Sequence, residues 1–288
     1  MLNLLVADGN ARGGRERHVA ATGRTSAQAY ADILRALAPD ARPTVLNPAD
    51  AEATLPAGAG LGDFDGLIVT GSELHVTDDS PAVRRQIALV RDGLAAGLPV
   101  FGSCWGVQVA AVVAGGRAAR NPRGPEYGFA RRIAPTREGR EHPLLDGRPP
   151  AYDAPAMHLD AVLEPPPGAR VLAGNGLLSV QAIEIARGPG VFWGTQYHPE
   201  LDLDVLAAML RLNGAVVIGA GFCRGAAMLD AYAAELEALH ADPEGRIDLM
   251  WRHGLGPEVT GAAHRRREIA NFLDRLVRPR AGRRAQAG

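Results

Sequence analysis

Cysteine is scarce in this chain of 288 residues, which contains only Cys104 and Cys223. Two thiols are too few for a disulfide framework or for a cysteine-rich metal site. We therefore expect no disulfide core, no metal and no cofactor. A reduced, cytoplasmic environment suits a functional thiol, so the sequence predicts a cytoplasmic protein.

Long apolar runs and an excess of charge are also missing. No uninterrupted apolar run reaches about 18 residues, the length that a membrane-spanning helix needs. The first residues lack the basic segment and long apolar stretch of a secretory signal. The 31 Lys and Arg residues nearly balance the 32 Asp and Glu residues, which leaves a formal net charge of −1. We therefore expect neither a membrane nor nucleic acid as the main partner.

The stretch from Leu98 to Gly116 is the most informative part of the chain. A short apolar run is followed by Gly102-Ser-Cys-Trp-Gly106 and then by an apolar segment of helical length. This pattern is typical of a strand, a sharp turn and a helix, with a nucleophile in the turn. Such a turn raises the sulfur of Cys104 above the sheet and directs the free N–H groups of the helix towards its target. The alternative is an inert, buried cysteine.

A second stretch, Gly190 to Glu200, supports the functional interpretation. An apolar run leads to His198, and Glu200 follows two residues later. In extended backbone these two side chains point to the same side. Glu200 can then hold one nitrogen of the His198 ring while the other faces a thiol. Cys104, His198 and Glu200 are therefore a candidate nucleophile, base and orienting carboxylate.

The motifs Gly102-Ser-Cys-Trp-Gly-Val-Gln108 and Gln196-Tyr-His-Pro-Glu200 resemble the two signatures of class I glutamine amidotransferases. Within that family the sequence is most similar to the glutaminase domain of GMP synthase and its stand-alone relatives. The resemblance covers about residues 1–212 and implies a catalytic Cys-His-Glu triad. It also implies a three-layer α/β fold with an open, mostly parallel sheet of flavodoxin-like type.

The resemblance also implies an oxyanion hole. Residues 66–70 read as a buried strand, and Gly71 as the turn that follows it. The family's turn reads Gly-Gly-Pro-x-Ser or a variant, whereas this chain has Thr70-Gly71-Ser72 and keeps one glycine. We expect the backbone N–H groups of Gly71 and Trp105 to bind the oxyanion. An ordinary strand-ending turn at Gly71 is the alternative.

Four further residues correspond to substrate contacts in the family. Gln108 lies one helical turn after Cys104, on the same face. The resemblance gives a substrate-binding role to Gln108, Ser72, Met157 and His158. The family has serine where this chain has Met157, and a purely structural role is the alternative for His158.

The remaining segments are less specific. The polar stretch Asp8–Gly23 reads as a long loop, either solvated or acting as a lid or binding loop for an anionic acceptor. Residues 27–38, 82–96 and 203–212 have helical patterns, and residues 117–188 read as short antiparallel strands.

We expect residues 213–288 to form a helical C-terminal extension. Amphipathic helices are predicted over residues 224–240 and 262–277, followed by a flexible basic tail from Pro279. The extension is either a cover packed on the catalytic domain, a docking or dimerisation surface, or a wall of the acceptor site. Whether the protein forms a homo-oligomer stays open.

The resemblance implies an enzyme that releases ammonia from L-glutamine through a γ-glutamyl thioester. The sequence shows no P-loop and no synthetase motif. Either a separate synthetase subunit uses the ammonia, or the protein hydrolyses or transfers γ-glutamyl groups of an amide or peptide by itself. A non-catalytic module on the same fold, and a cysteine peptidase-like or isomerase-like enzyme, are further alternatives.

Overall fold

The computed structural model describes residues 1–287, and Gly288 lies outside this part. Its strands alternate with helices in the first half of the chain and then follow one another directly. The strands are β1 (Leu2–Ala7), β2 (Ala41–Leu46), β3 (Gly66–Val69), β4 (Pro99–Ser103), β5 (Arg117–Arg120), β6 (Glu126–Pro135), β7 (Tyr152–His158), β8 (Asp160–Glu164), β9 (Arg170–Gly174), β10 (Ala182–Arg187) and β11 (Gly190–Thr195).

The helices lie between the first strands and at the C-terminal end. They are α1 (Arg12–Thr22), α2 (Ser26–Leu37), α3 (Pro81–Ala95), α4 (Trp105–Val113), α5 (Arg137–Glu141), α6 (Leu203–Leu212), α7 (Gly214–Gly219), α8 (Ala226–Ala241), α9 (Ile247–His253), α10 (Pro257–Thr260), α11 (Ala262–Arg265), α12 (Arg267–Asn271) and α13 (Arg278–Ala287). A π-helical turn, Phe272–Val277, joins the last two. None of the helices among residues 1–287 combines the length and the hydropathy needed to cross a membrane.

One large sheet forms the middle layer. Its strand order is β2-β1-β3-β4-β11-β10-β9-β6-β7. The first five strands in this order are parallel to one another, and the other four continue the sheet with antiparallel pairing. Strands β5 and β8 form a separate antiparallel pair. The predicted open α/β sheet is confirmed, and β4 and β11 lie side by side at its centre.

The alternation of side chains along β1 divides the core into two layers. Leu4 and Val6 belong to an apolar cluster on one face of the sheet, whereas Leu5 and Ala7 belong to a cluster on the other face. Successive residues of a strand point to opposite faces, so the two clusters lie on the two sides of the sheet. Each cluster includes helix residues, so helices cover both faces. The parallel strands are therefore buried on both sides, as a three-layer fold requires.

Helix α1 replaces the loop that the sequence predicts over Asp8–Gly23. Its polar composition and its Gly13-Gly14 pair hide it from pattern analysis, and Ala11 gives it no side-chain cap. Tertiary contacts stabilise it instead. Arg15 is buried, donates to the backbone oxygen of Asn10 at 2.8 Å and pairs with Asp50. Gly23 ends the helix in the left-handed conformation with φ 81°.

The C-terminal extension covers one face of the sheet. Ile269, Phe272 and Leu273 lie in the same buried cluster as Leu4 and Phe101. The predicted helix over residues 262–277 consists of three consecutive helical pieces, α11, α12 and the π-helical turn. Of the three alternatives, the extension is thus at least a packed cover. The domain boundary after residue 212 stays a prediction.

The predicted flexible tail is helical up to Ala287. Two arginines fasten α13 to the loops at the amino ends of the central strands. Arg280 donates to the backbone oxygens of Gly97 and Pro189 at 3.1 and 3.0 Å, and Arg284 donates to that of Phe64 at 2.9 Å. A basic composition indicates a solvated segment, but it does not reveal carbonyl groups that the guanidinium groups can reach.

Candidate active site

Cys104 occupies the sharp turn between β4 and α4 that the sequence predicts. Its backbone has φ 50° and ψ −98°, which is unusual for a residue with a side chain. Its backbone N–H donates to Thr195 at 2.8 Å, and its carbonyl accepts from Gln108 at 3.3 Å. The turn is therefore held from β11 on one side and by the first turn of α4 on the other.

The turn also depends on close backbone contacts. A Cβ on Gly102 would lie 2.8 Å from Cα of Gly106, and a Cβ on Gly106 would lie 2.8 Å from the backbone oxygen of Val69. Both distances are shorter than any normal carbon contact. The glycines that flank Cys104 in the motif are thus required for α4 to approach β3 and β4.

His198 and Glu200 form a buried pair beside this turn. Nδ1 of His198 lies 2.7 Å from Oε1 of Glu200. Nε2 of His198 is buried and has no hydrogen-bond partner among the described residues. The predicted pairing is present, but its geometry differs from the prediction, because β11 ends at Thr195 and Glu200 lies in a turn. The turn, rather than extended backbone, brings the carboxylate to the ring.

Two residues outside the predicted site hold Glu200. The hydroxyl of Ser103 donates to Oε1 at 2.9 Å, and the hydroxyl of Tyr30 donates to Oε2 at 3.0 Å. The two hydroxyl oxygens are themselves 2.8 Å apart. Ser103 directly precedes Cys104, and Tyr30 lies on α2. The sequence places Tyr30 only on the apolar face of its helix, because nothing local indicates a partner 170 residues away.

The charges of this cluster favour a protonated imidazole. Burial disfavours the charged form of His198, but the Glu200 carboxylate and the Cys104 sulfur outweigh burial and raise its pKa. Burial and the Glu200 charge also raise the pKa of Tyr30 well above its usual value. Tyr30 therefore keeps its proton and remains a donor to Glu200 at any ordinary pH.

Gly71 lies against the His198 ring. A Cβ on Gly71 would lie 2.8 Å from Cε1 of His198. The turn is fixed from behind, because the Thr70 hydroxyl donates to the backbone oxygen of Gly71 and accepts from the N–H of Gly9, both at 2.9 Å. Trp105 is the first residue of α4, so its backbone N–H has no carbonyl partner within the helix.

The four residues assigned to substrate binding all line the cavity that contains Cys104 and His198. They are Ser72, Gln108, Met157 and His158. Nε2 of Gln108 donates to the backbone oxygen of Asp160 at 3.0 Å, and this bond fixes the side chain. Ser72 has a local contact as well, since its hydroxyl accepts from the N–H of Leu74 at 3.0 Å.

His158 has a structural partner at one ring nitrogen and none at the other among the described residues. Its Nε2 lies 3.0 Å from Oε2 of Glu126. Glu126 also accepts from Gln181 at 2.7 Å and from Asn175 at 2.6 Å. Nδ1 of His158 is buried and has no partner among residues 1–287. The ring is therefore held by a buried polar network.

The cavity has a volume of about 270 Å³. Helix α1 forms one wall with Arg17 and His18, and α6 and α7 form another. Arg17 pairs with Glu73. Arg24, at the end of the same wall, pairs with Asp32 at 3.1 Å. In the described part of the chain, no group of His, Cys, Asp or Glu side chains is arranged to hold a metal ion.

A buried thiol on a strained turn, next to an imidazole–carboxylate pair, is typical of an enzyme that transfers acyl groups through cysteine. A family model described as glutamine amidotransferase class-I matches residues 28–214. The chain belongs to the class I glutamine amidotransferase family. This finding confirms the resemblance seen in the two sequence motifs.

A relative from a Pseudomonas species, named gamma-glutamyl-L-1-hydroxyisopropylamide hydrolase, is 32% identical over 287 residues. The similarity covers 98% of this chain and 95% of the relative, so it includes the C-terminal extension. A glutamine-hydrolyzing GMP synthase subunit from Ignicoccus hospitalis is 33% identical but matches only 49% of this chain and 69% of the relative. The GMP synthase of Thermus thermophilus is 36% identical over 52% of this chain, which corresponds to 28% of that protein.

Solved structures of similar fold agree. A glutamine amidotransferase from Thermotoga maritima superposes with a TM-score of 0.63 at 17% identity, covering 96% of this chain and 99% of the other. One from Methylobacillus flagellatus gives a TM-score of 0.59 at 18% identity, covering 96% and 95%. At these identities the likeness shows the fold alone.

Proposed function

We propose that the protein is a γ-glutamyl amide hydrolase that acts without a partner, with Cys104 as nucleophile, His198 as base and Glu200 as the residue that orients His198. The observation that carries this proposal is the similarity to the Pseudomonas hydrolase over 98% of this chain, extension included. The relatives among GMP synthases match only about half of the chain. The extension, which the similarity to the Pseudomonas hydrolase includes, contributes Asn213 and Val216 to the cavity lining.

In the first step, Nε2 of His198 takes the proton of the Cys104 thiol. The sulfur attacks the carboxamide carbon, and the backbone N–H groups of Gly71 and Trp105 stabilise the oxyanion. The C–N bond then breaks, and the protonated His198 gives its proton to the departing amine. A γ-glutamyl thioester on Cys104 remains, and the amine is free to leave the cavity.

In the second step, water replaces the amine. His198 takes a proton from the water as it attacks the thioester carbon, and the same N–H groups stabilise the second oxyanion. The C–S bond breaks, the protonated His198 returns its proton to the sulfur of Cys104, and glutamate leaves. The raised pKa of His198 supports the first step, because the imidazolium is the form that protonates the leaving amine. Glu200, held by Tyr30 and Ser103, keeps the ring in place.

A second candidate function is that of a glutaminase which passes ammonia to a separate synthetase. The similarity to the GMP synthase subunit from Ignicoccus hospitalis favours it. The two functions differ in the leaving group, which is ammonia in one case and a substituted amine in the other. They also differ in whether the purified chain is active alone.

The test compares glutamine with a γ-glutamyl alkylamide as substrates of the purified protein, with glutamate release as the signal. The proposal predicts hydrolysis of the alkylamide with a kcat/KM at least tenfold above that of glutamine. Cys104→Ala should lower it by about 10³-fold or more. Cys223→Ala is the matched control, because Cys223 lies outside the site cavity. If the protein does not hydrolyse the alkylamide, and hydrolyses glutamine only in the presence of an ATP-dependent synthetase, the result would support the second candidate instead.

A further inference from the structure

Helix α6 and the residues on either side of it contribute apolar side chains both to the core and to the active-site cavity. Its buried face belongs to the cluster that joins α6 to α8 and consists of Leu203, Leu206, Ala207 and Leu210. A second set of apolar residues lines the active-site cavity and consists of Leu201 before α6, Val205, Met209 and Leu212 on α6, and Val216 on α7. Leu201 and Val205 also pack in the core cluster. We call this second set the cavity stripe.

The cavity stripe begins at the reacting groups and ends at the surface. Leu201 directly follows Glu200, and its backbone N–H lies 3.4 Å from the backbone oxygen of His198. Leu201 is 8% exposed, whereas Leu212 is 42% and Val216 is 48% exposed. The stripe thus runs outwards from the histidine that protonates the departing amine. Within α6, the seven steps from Val205 to Leu212 correspond to a rise of roughly 10 Å.

Several charged side chains of the cavity lining pair with residues of opposite charge or with a histidine ring. Arg17 pairs with Glu73 across the cavity wall, and Arg24 pairs with Asp32. Asp160 contacts the ring of His75 at 2.7 Å. These pairs reduce the net charge that the cavity lining presents to a ligand. The pairing of the charges on α1 therefore gives no support to an anion-binding role of residues 8–23.

We propose that the cavity stripe binds the leaving amine, and that this amine carries an uncharged alkyl chain. The inference rests on the proposed hydrolase function and adds the class of amine. An alkyl chain that covers the half-exposed apolar side chains at the rim removes apolar surface from water. The affinity of the ligand should therefore rise roughly threefold to fourfold per buried methylene. The stripe extends well beyond the length of a three-carbon amine, so chains longer than three carbons gain further contacts.

The experiment measures kcat/KM for γ-glutamyl methylamide, propylamide and pentylamide, with γ-glutamylglycine as the carboxylate-bearing comparison. The expected result is a rise of about threefold per added methylene, and a value for γ-glutamylglycine at least tenfold below that for the propylamide. Binding of the same compounds to Cys104→Ala, measured by calorimetry, should show the same trend in Kd. This second measurement does not depend on turnover.

Two variants map the position of the alkyl chain. Val205→Thr, near the inner end, should lower both the propylamide-to-methylamide and the pentylamide-to-methylamide ratio of kcat/KM by about threefold. Val216→Thr, at the rim, should lower only the pentylamide ratio. Val45→Thr is the matched control, because Val45 is 42% exposed on β2 and is not part of the cavity lining. It should leave both ratios unchanged.

The outcomes separate the two proposals. Hydrolysis can depend on Cys104 while kcat/KM does not rise along the alkyl series, or while the kcat/KM ratios are equal in all three valine variants. Either result would overturn the alkyl subsite but not the hydrolase function. If Cys104→Ala binds the alkylamides more tightly as the alkyl chain grows, but the wild type hydrolyses none of the amides, the result would support the subsite and refute the hydrolase function. Preference for γ-glutamylglycine over the propylamide would overturn the subsite.

Discussion

The hydroxyl of Tyr30 donates a hydrogen bond to Oε2 of Glu200 over 3.0 Å, and it joins two residues 170 positions apart in the chain. Tyr30 is fully buried on α2, and Glu200 lies in the turn after His198. Glu200 therefore receives donors from α2, from Ser103 and from the His198 ring. The orientation of His198 depends on the packing of α2 against the sheet.

Tyr30→Phe tests this dependence. The variant keeps the buried ring and removes one donor to the carboxylate, so Glu200 is less firmly placed. We expect kcat to fall about tenfold, which corresponds to roughly 1.4 kcal/mol, with little change in KM. Steady-state kinetics on a γ-glutamyl amide measures both values. Tyr152→Phe is the control, because that buried hydroxyl bonds to Tyr197 at 2.9 Å and does not line the cavity. An equal loss of kcat in both variants would speak against a specific role of Tyr30.

Gly71→Ala tests the contact between the oxyanion turn and His198. The new Cβ would lie 2.8 Å from Cε1 of the ring, so either the ring or the turn has to move. We expect kcat to fall about 10²-fold, since a displacement of about 1 Å has an effect of this size. Gly219→Ala is the control, because nothing lies within 4 Å of a Cβ at that position. Wild-type kcat in Gly71→Ala would show that the turn does not take part.

The His198–Glu200 pair predicts a dependence of stability on pH. The folded protein raises the pKa of His198 above the unfolded value of about 6.5, so protonated His198 stabilises the fold. This contribution is complete below about pH 6.5 and is lost as the pH rises through the raised pKa. His198→Gln should therefore destabilise the protein more at about pH 6 than at about pH 10, by roughly 1–3 kcal/mol in urea unfolding.

A matched histidine provides the control for this measurement. His264 is exposed on α11, and His264→Gln should change the free energy of unfolding equally at both pH values. A larger effect of His198→Gln at the higher pH would mean that the folded state lowers the pKa of His198. That sign would contradict the ion-pair description of the site.

The extension is fastened to the sheet by a buried ion pair. Nε of Arg148 lies 2.6 Å from Oε1 of Glu268, and the Tyr197 hydroxyl donates to the same oxygen at 2.7 Å. Glu268→Gln leaves the buried guanidinium without a counter-charge, so we expect a loss of about 3–5 kcal/mol in urea unfolding. Asp274→Asn removes an exposed partner of Arg278 and should cost less than about 1 kcal/mol. Similar small losses in both would show that the extension is only loosely attached.

The central elements of the site could be predicted from the sequence because their signals are local. The glycines around Cys104, and the spacing of His198 and Glu200, lie in two short stretches that the chain carries intact. The glycines around Cys104 allow the close approach of α4 to β3 and β4 that the turn requires. The family's fold then follows from the motifs, since the elbow and the histidine segment require neighbouring parallel strands.

The features that the sequence does not reveal depend on contacts between distant segments. Helix α1 is stabilised by the ion pair of Arg15 with Asp50 rather than by an apolar stripe. The donors to Glu200 come from Tyr30, which reads as an ordinary core residue, and from Ser103, which reads as part of the motif. The apolar residues of α6 that line the cavity are visible in the sequence, but their meaning depends on knowing that the cavity lies beside them.

The most direct test of the proposed chemistry is to trap the acyl-enzyme. The protein is mixed with a γ-glutamyl amide, quenched in acid during turnover, digested and examined by mass spectrometry. We predict a mass increase equal to one γ-glutamyl group on the peptide that contains Cys104, absent from Cys104→Ala and unchanged in Cys223→Ala. Turnover of the amide by Cys104→Ala at the wild-type rate, without any acylated peptide, would contradict the proposed role of Cys104.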